Sequence, residues 1–151
     1  MDISLAPATP DRVDDVLAVL GAGPDRPHCT CQYWRFSSGD YSRMSQRGRI
    51  AALEQQAAGE PAPGLLAYVD GVPAGWCGFG VRPQMGRLVR SRTIPLVDEL
   101  PVWAVFCFVV RTGYRRQGLA ARLLEGVIEY GRRRGAPALE SYPIDPQGKR
   151  V

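Results

Sequence analysis

The strongest constraint in this chain is the apolar run Val102–Val110, which ends abruptly in a basic, glycine-containing turn. The run reads Val-Trp-Ala-Val-Phe-Cys-Phe-Val-Val. It has no polar face and is rich in β-branched and aromatic residues, so it predicts a strand covered on both sides. Arg111-Thr112-Gly113-Tyr114-Arg115-Arg116-Gln117-Gly118 breaks it. Leu119, Ala120, Leu123, Leu124, Val127 and Ile128 then recur at helical spacing and predict an amphipathic helix ending near Gly135. Ala138–Tyr142 reads as one more short strand. A strand–helix–strand unit implies a right-handed parallel crossover, which places the chain in the α/β class.

The rest of the chain supplies partners for that unit. Ile3–Leu5 reads as a first strand, and Thr9-Pro10 opens a helix with Thr9 as its cap and Pro10 in the first position. Val13, Val16, Leu17 and Leu20 form its apolar face, and Gly21 stops it. Residues 21–47 read as irregular, with Tyr33, Trp34, Phe36 and Tyr41 among them. A second helix is expected over 48–58, turning Ile50, Leu53 and Ala57 inward. Leu65–Val69 and Ala74–Val81, joined through Asp70-Gly71, predict an antiparallel hairpin. Residues 82–100 read as a loop, part of it a possible edge strand. The tail Pro143–Val151 is polar. A chain of 151 residues, 45% hydrophobic, is sized for one domain over 1–151. No apolar run approaches the ~20 residues of a membrane span, and no secretory signal is legible, so no membrane partner and a cytoplasmic location are expected.

The net charge of +4 is concentrated. Arg111, Arg115, Arg116, Arg122 and Arg132–Arg134 face only Glu125 and Glu129 in the same stretch, whereas Asp11, Asp14 and Asp15 make the start of the chain acidic. A local basic cluster suggests an anionic ligand, either nucleic acid or a polyphosphate. Arg132–Arg134 suit the negative end of the helix. Arg115 and Arg116 sit at its other end, so the helix C-terminus does not account for them. Of the four cysteines, Cys77 and Cys107 lie in apolar runs and are expected as buried free thiols. His28-Cys29-Thr30-Cys31 resembles half of a metal site, but His28 is the only histidine and no second cluster completes it, so no metal is expected.

Gly118 stands where a side chain would block the approach of a ligand to the backbone. The helix that follows begins with N–H groups that have no acceptor inside it, at the positive end of its dipole. Arg115 and Arg116 add charge-assisted bonds to phosphate oxygens. The segment therefore makes a pyrophosphate cradle. It is neither the Gly-x-Gly-x-x-Gly dinucleotide turn nor the Gly-Lys-Ser/Thr triphosphate loop.

Arg115-Arg116-Gln117-Gly118-Leu119-Ala120 resembles the Arg/Gln-x-x-Gly-x-Gly/Ala signature of the GNAT superfamily of acyl-CoA-dependent N-acyltransferases. Phe108-Val109-Val110 looks like the end of that family's fourth strand, with Tyr114 before the arginines. Val69–Trp76 looks like its second-to-third-strand hairpin, and the likeness covers about 3–142. The resemblance implies a mixed sheet around a central strand–phosphate loop–helix–strand unit. It implies acetyl-CoA as acyl donor, held by Phe108, Val109 and Val110 along the pantetheine and by Arg115, Arg116, Gln117, Gly118, Leu119 and Ala120 at the pyrophosphate. It implies direct attack of a primary amine on the thioester, without an acyl-enzyme.

That chemistry requires a neutral amine, a stabilised oxyanion and a leaving thiolate. Glu99 is the preferred base, with Asp98 and Glu140 as alternatives. Cys107 is read as structural, since burial makes a thiol inert. Tyr33 and Trp34, beside Arg35, form either an aromatic wall for the acceptor or a cluster pinning a long loop. Small-molecule and peptide amines both fit as acceptors. The resembled fold continues past its fifth strand with a helix and two strands, and that helix carries a thiol-protonating tyrosine. This sequence is C-terminally short of them, and three explanations stay open: truncation, a partner chain that supplies the strands, or a dispensable tail. An uncovered edge strand favours association, so a homo-oligomer, a partner chain completing the sheet, or marginal stability is expected. The rival readings are a non-catalytic acyl-CoA-binding module and a nucleic-acid binder. The second is disfavoured because the basic residues track one turn and helix with little aromatic interleaving.

Overall fold

A computed structural model describes residues 1–143 and 147–148, so most of the polar tail lies outside the described residues. The elements run β1 (Ile3–Pro7), a 3₁₀ turn (Pro10–Arg12), α1 (Val13–Leu20), α2 (Ser38–Arg43), α3 (Gln46–Ala57), β2 (Gly64–Val69) and β3 (Val72–Val81). A second 3₁₀ turn (Arg82–Gln84), α4 (Gly86–Val89), β4 (Trp103–Val110), α5 (Leu119–Arg133) and β5 (Leu139–Ser141) follow. Among the described residues the strands form one sheet in sequence order. β1 to β4 are antiparallel neighbours, and β5 joins β4 in parallel, as the crossover predicts.

Alternation along the strands sorts side chains to two faces. Leu66 and Trp76 face α1 and α3, where Val16, Leu17, Leu20 and Leu53 are buried. Leu65, Ala67, Phe79, Trp103 and Val105 face α5 and meet Leu119, Leu123, Val127 and Tyr130. Each Leu, Val or Phe among them, fully buried, contributes roughly 1.5–3 kcal/mol. The Tyr130 ring lies 5.4 Å from Phe79 and 6.0 Å from Trp103, and its hydroxyl accepts the Ala62 N–H at 2.9 Å.

One irregularity in β4 matters for function. Gly78 pairs with Cys107 but Phe79 pairs with Val105, so Phe106 is an extra residue, a β-bulge. The first half of the strand, Trp103–Val105, is buried, whereas Phe108 is 43% exposed. The expectation of a strand covered on both faces therefore holds only up to the bulge.

Three local expectations are corrected. Thr9 makes no side-chain cap; its hydroxyl bonds Asp11 and accepts from Arg12, and the chain enters α1 through the 3₁₀ turn. The 21–47 stretch contains α2, capped by Ser37 Oγ accepting the Asp40 N–H at 3.3 Å. Residues 82–100 hold α4 rather than an edge strand: Met85 and Leu88 bury against Ala104, at helical rather than alternating spacing.

Candidate active site

β5 accompanies β4 only from Trp103 to Val105, while β4 continues to Val110. From Phe106 onward that edge of β4 has no strand beside it among the described residues, although its other edge stays paired with β3 as far as Val110. Arg111 donates its N–H to the Ala74 carbonyl of β3 at 2.9 Å. Alternation then turns the N–H and C=O of Val110 and Phe108 toward the open edge, and those of Val109 toward β3. The Val110 carbonyl agrees, since it accepts Arg115 Nε at 2.9 Å. The splay between two parallel strands thus exposes a short ladder of backbone donors and acceptors.

The ladder leads to the start of α5. Gly118 has φ +84° and Arg116 φ +60°, two left-handed residues that reverse the chain within the turn. The first bond of the helix runs from the Arg122 N–H to the Gly118 carbonyl at 3.1 Å. The N–H groups of Leu119, Ala120 and Ala121 have no acceptor inside the helix. No acidic residue occupies that first turn. A Cβ placed on Gly118 would meet nothing within 4 Å, so the space above the turn is open. A cleft of about 500 Å³ lies there, lined by Phe108, Val109, Val110, Tyr114, Arg115, Arg116, Gly118, Leu119 and Ala120. Of the residues expected at a cofactor, all but Gln117 line it; Gln117 Nε2 instead donates to the Gly113 carbonyl at 3.3 Å.

Phe108 also borders a second cavity of about 250 Å³, with Trp34, Val105, Phe106, Ser141, Tyr142 and Pro143. Trp34 in turn borders a third of about 410 Å³, with Tyr33, Ser37, Ser38, Gly39, Arg87, Arg90, Ser91 and Thr93. Tyr33 meets Trp34 edge-on at 5.1 Å and Tyr41 at 5.6 Å. The two aromatic residues therefore both pin the loop and line cavities: Trp34 stands between the second and third, and Tyr33 belongs to the third.

The acetyltransferase (GNAT) family model matches residues 29–147, most of the chain and the whole of this line of cavities. The chain belongs to the GNAT acetyltransferase family. GNAT proteins are acyl-CoA-dependent N-acyltransferases with acetyl-CoA as donor, and the free amides and open ladder fit a pyrophosphate and a pantetheine arm. No curated protein matches the sequence. Among solved structures, an aminoglycoside N-acetyltransferase, AAC(6')-Iy, in complex with CoA is similar at TM-score 0.63 and 15% identity, covering 97% of this chain and 79% of that one. A ribosomal-protein-alanine N-acetyltransferase from Brucella melitensis is similar at TM-score 0.59 and 17% identity, over 98% and 85%. At these identities the likeness establishes the GNAT fold.

The carboxylates of this GNAT domain are placed as follows. Glu140 accepts Arg82 Nη1 at 2.7 Å and the Tyr142 hydroxyl at 2.9 Å. Asp98 accepts the Leu100 N–H at 2.9 Å. Glu99 is exposed on the segment before β4 and lines none of the three cavities. Burial, then the bond to Glu140, pushes the Tyr142 hydroxyl up to about 12, so it keeps its proton at neutral pH. Cys107 is half-buried rather than buried; its interaction with the neighbouring Cys31 thiol, and burial, push its own thiol far up, which suits an inert side chain. The Cys107 thiol and the Arg35 charge hold buried Cys31 below the ordinary thiol range. Among the described residues no three His, Cys, Asp or Glu side chains gather as a metal site.

Sequence reasoning missed Phe106, Ser141 and Tyr142 in the second cavity and Arg87 and Arg90 in the third. The bulge at Phe106 has no sequence signature. The arginines did have one: Arg82, Arg87, Arg90 and Arg92 precede the first acidic residue of that stretch, Asp98.

Proposed function

We propose that this GNAT domain transfers an acetyl group from acetyl-CoA directly to a primary amine of a small molecule or peptide. The observation that carries the reading is the line of three adjoining cavities, from the free amides of α5 past the open edge of β4 to Trp34 and Tyr33. Arg115, Arg116, Gly118, Leu119 and Ala120 bind the pyrophosphate, and the Phe108 and Val110 backbone orients the pantetheine. The donor supplies a thioester carbonyl for the amine to attack. Backbone N–H groups just past the Phe106 bulge stabilise negative charge on the carbonyl oxygen. Tyr142 lines the same cavity with its hydroxyl proton held by Glu140, and the sulfur, whose thiol is already fairly acidic, leaves as a thiolate. No unpaired carboxylate lines this cavity, so the amine loses its proton to water. The names of solved neighbours speak of aminoglycosides and of ribosomal-protein alanine, so this fold accommodates both small-molecule and protein amines.

Release of free thiol from acetyl-CoA, measured across a panel of amines, tests the proposal. Amine-dependent release is expected; binding of acetyl-CoA with no release for any amine would favour a binding module. Arg115→Ala should raise the KM for acetyl-CoA about tenfold or more, the equivalent of losing one hydrogen bond to a charged group. It should leave the acceptor KM unchanged. Glu99→Gln should alter kcat less than twofold, and a large loss would restore Glu99 as the base.

A further inference from the structure

The third cavity, at the other end of the line from Arg115 and Arg116, has a cationic lining of its own. Arg87 and Arg90 both line it, together with the hydroxyl-bearing Ser38, Ser91 and Thr93, and no carboxylate does. Arg87 has no acidic partner among the described residues. Its Nε donates to the Tyr33 carbonyl at 2.8 Å, and its guanidinium lies 3.8 Å above the Tyr33 ring. That contact fixes the guanidinium beside the cavity while leaving its terminal nitrogens free of any ion pair. Arg90 is exposed and likewise has no ion-pair partner among the described residues. Asp40, which follows the lining residue Gly39, is engaged by Arg43 at 3.4 Å, and Asp98, the carboxylate nearest to Arg90 in sequence, accepts the Leu100 N–H at 2.9 Å. Two uncompensated guanidinium groups beside hydroxyl donors favour oxyanions and repel polycations. A volume of about 410 Å³ suits a small molecule.

We infer that the acceptor is a small amine that also bears an anionic oxygen group, a carboxylate or a phosphate, held by Arg87 and Arg90 while its amine reaches past Trp34 toward Phe108. The inference rests on the acetyl-transfer reading for the role of the bound amine, but not for the selectivity itself. Polycationic aminoglycosides are excluded as good acceptors on the same ground.

Calorimetric titration of the chain, with and without excess CoA, tests it, using matched pairs: phenylalanine against phenylalaninamide, and phosphoethanolamine against ethanolamine, with kanamycin as the polycation. At least one anionic member should bind about tenfold to a hundredfold more tightly than its twin, as expected for charge-assisted bonds, and kanamycin should bind worst. The better pair identifies carboxylate or phosphate. Arg87→Gln and Arg90→Gln should each erase most of that preference without weakening the twin that lacks the anionic group. Arg90→Gln is the decisive variant, because Arg87 also packs on Tyr33. Twins that bind alike, a preference for kanamycin, no binding by any member, or a preference that survives both substitutions would overturn the inference. Donor binding is read separately from the thermal shift with acetyl-CoA. Loss of that shift with the anion preference intact removes the acetyl-transfer reading alone; the reverse removes this one alone.

Discussion

Gly118→Glu will abolish the thermal stabilisation that acetyl-CoA gives the unaltered protein. A ligand at a hundred times its Kd stabilises by about 2.7 kcal/mol, which for a chain of this size is a rise in Tm of roughly 5–10 °C. The backbone at Gly118 has φ +84°, and a side chain there would project into open space. The glutamate therefore fits the free protein at the cost of a left-handed residue, roughly 1–2 kcal/mol. It then occupies the space above the first turn of α5 and sets a negative charge where phosphates must come. Gly118→Ala separates the two effects. It carries the same backbone cost and should lower the ligand-free Tm similarly, yet retain part of the shift. An equal shift in the glutamate variant and the unaltered chain would show that acetyl-CoA does not use this turn.

The second large effect is on stability. Arg82→Met should cost about 3 kcal/mol or more, a fall in Tm of roughly 6–12 °C by thermal melting. Arg82 is 2% exposed and bonds Glu140 at 2.7 Å, the Tyr142 hydroxyl at 3.2 Å and the Ile94 carbonyl at 2.6 Å. It ties β5 and the segment before β4 to the end of β3. Its removal leaves the mostly buried Glu140 carboxylate without its cation, and the slight exposure of Glu140 keeps the cost toward the lower end of the range for broken buried pairs. Pairing Arg82→Met with Glu140→Leu should recover part of the loss, because no charge is then stranded. The exposed pairs, such as Arg47 with Asp25, should each contribute less than about 1 kcal/mol. A double variant no more stable than Arg82→Met would mean that the guanidinium acts through Ile94 and packing rather than through Glu140.

How much was legible in the sequence depended on how local the determining physics is. The crossover unit was readable because its signals are periodic and adjacent: a run of apolar residues, a glycine turn, a helical stripe. The phosphate turn was readable for the same reason, since Gly118, the arginines and the helix start are contiguous. What escaped was set by tertiary pairing. The bulge at Phe106 exists only because Gly78 and Phe79 pair with Cys107 and Val105, and no residue type announces it. Glu140 is an alternative base by sequence, and nothing local to it announces its partner, Arg82, which comes from a distant segment. Short helices such as α2 and α4 carry too few turns for a period to show. The α5 stripe also misled in part: Leu124 and Ile128 match its spacing yet remain exposed at 43% and 41%.

A crystal structure of the chain with CoA tests most directly whether the first turn of α5 is the seat of the donor's pyrophosphate. Phosphate oxygens should lie about 2.7–3.2 Å from N–H groups between Gly118 and Ala121, with the pantetheine arm running along the Phe108 and Val110 backbone. CoA seated elsewhere, with those amides facing only solvent, would contradict that placement.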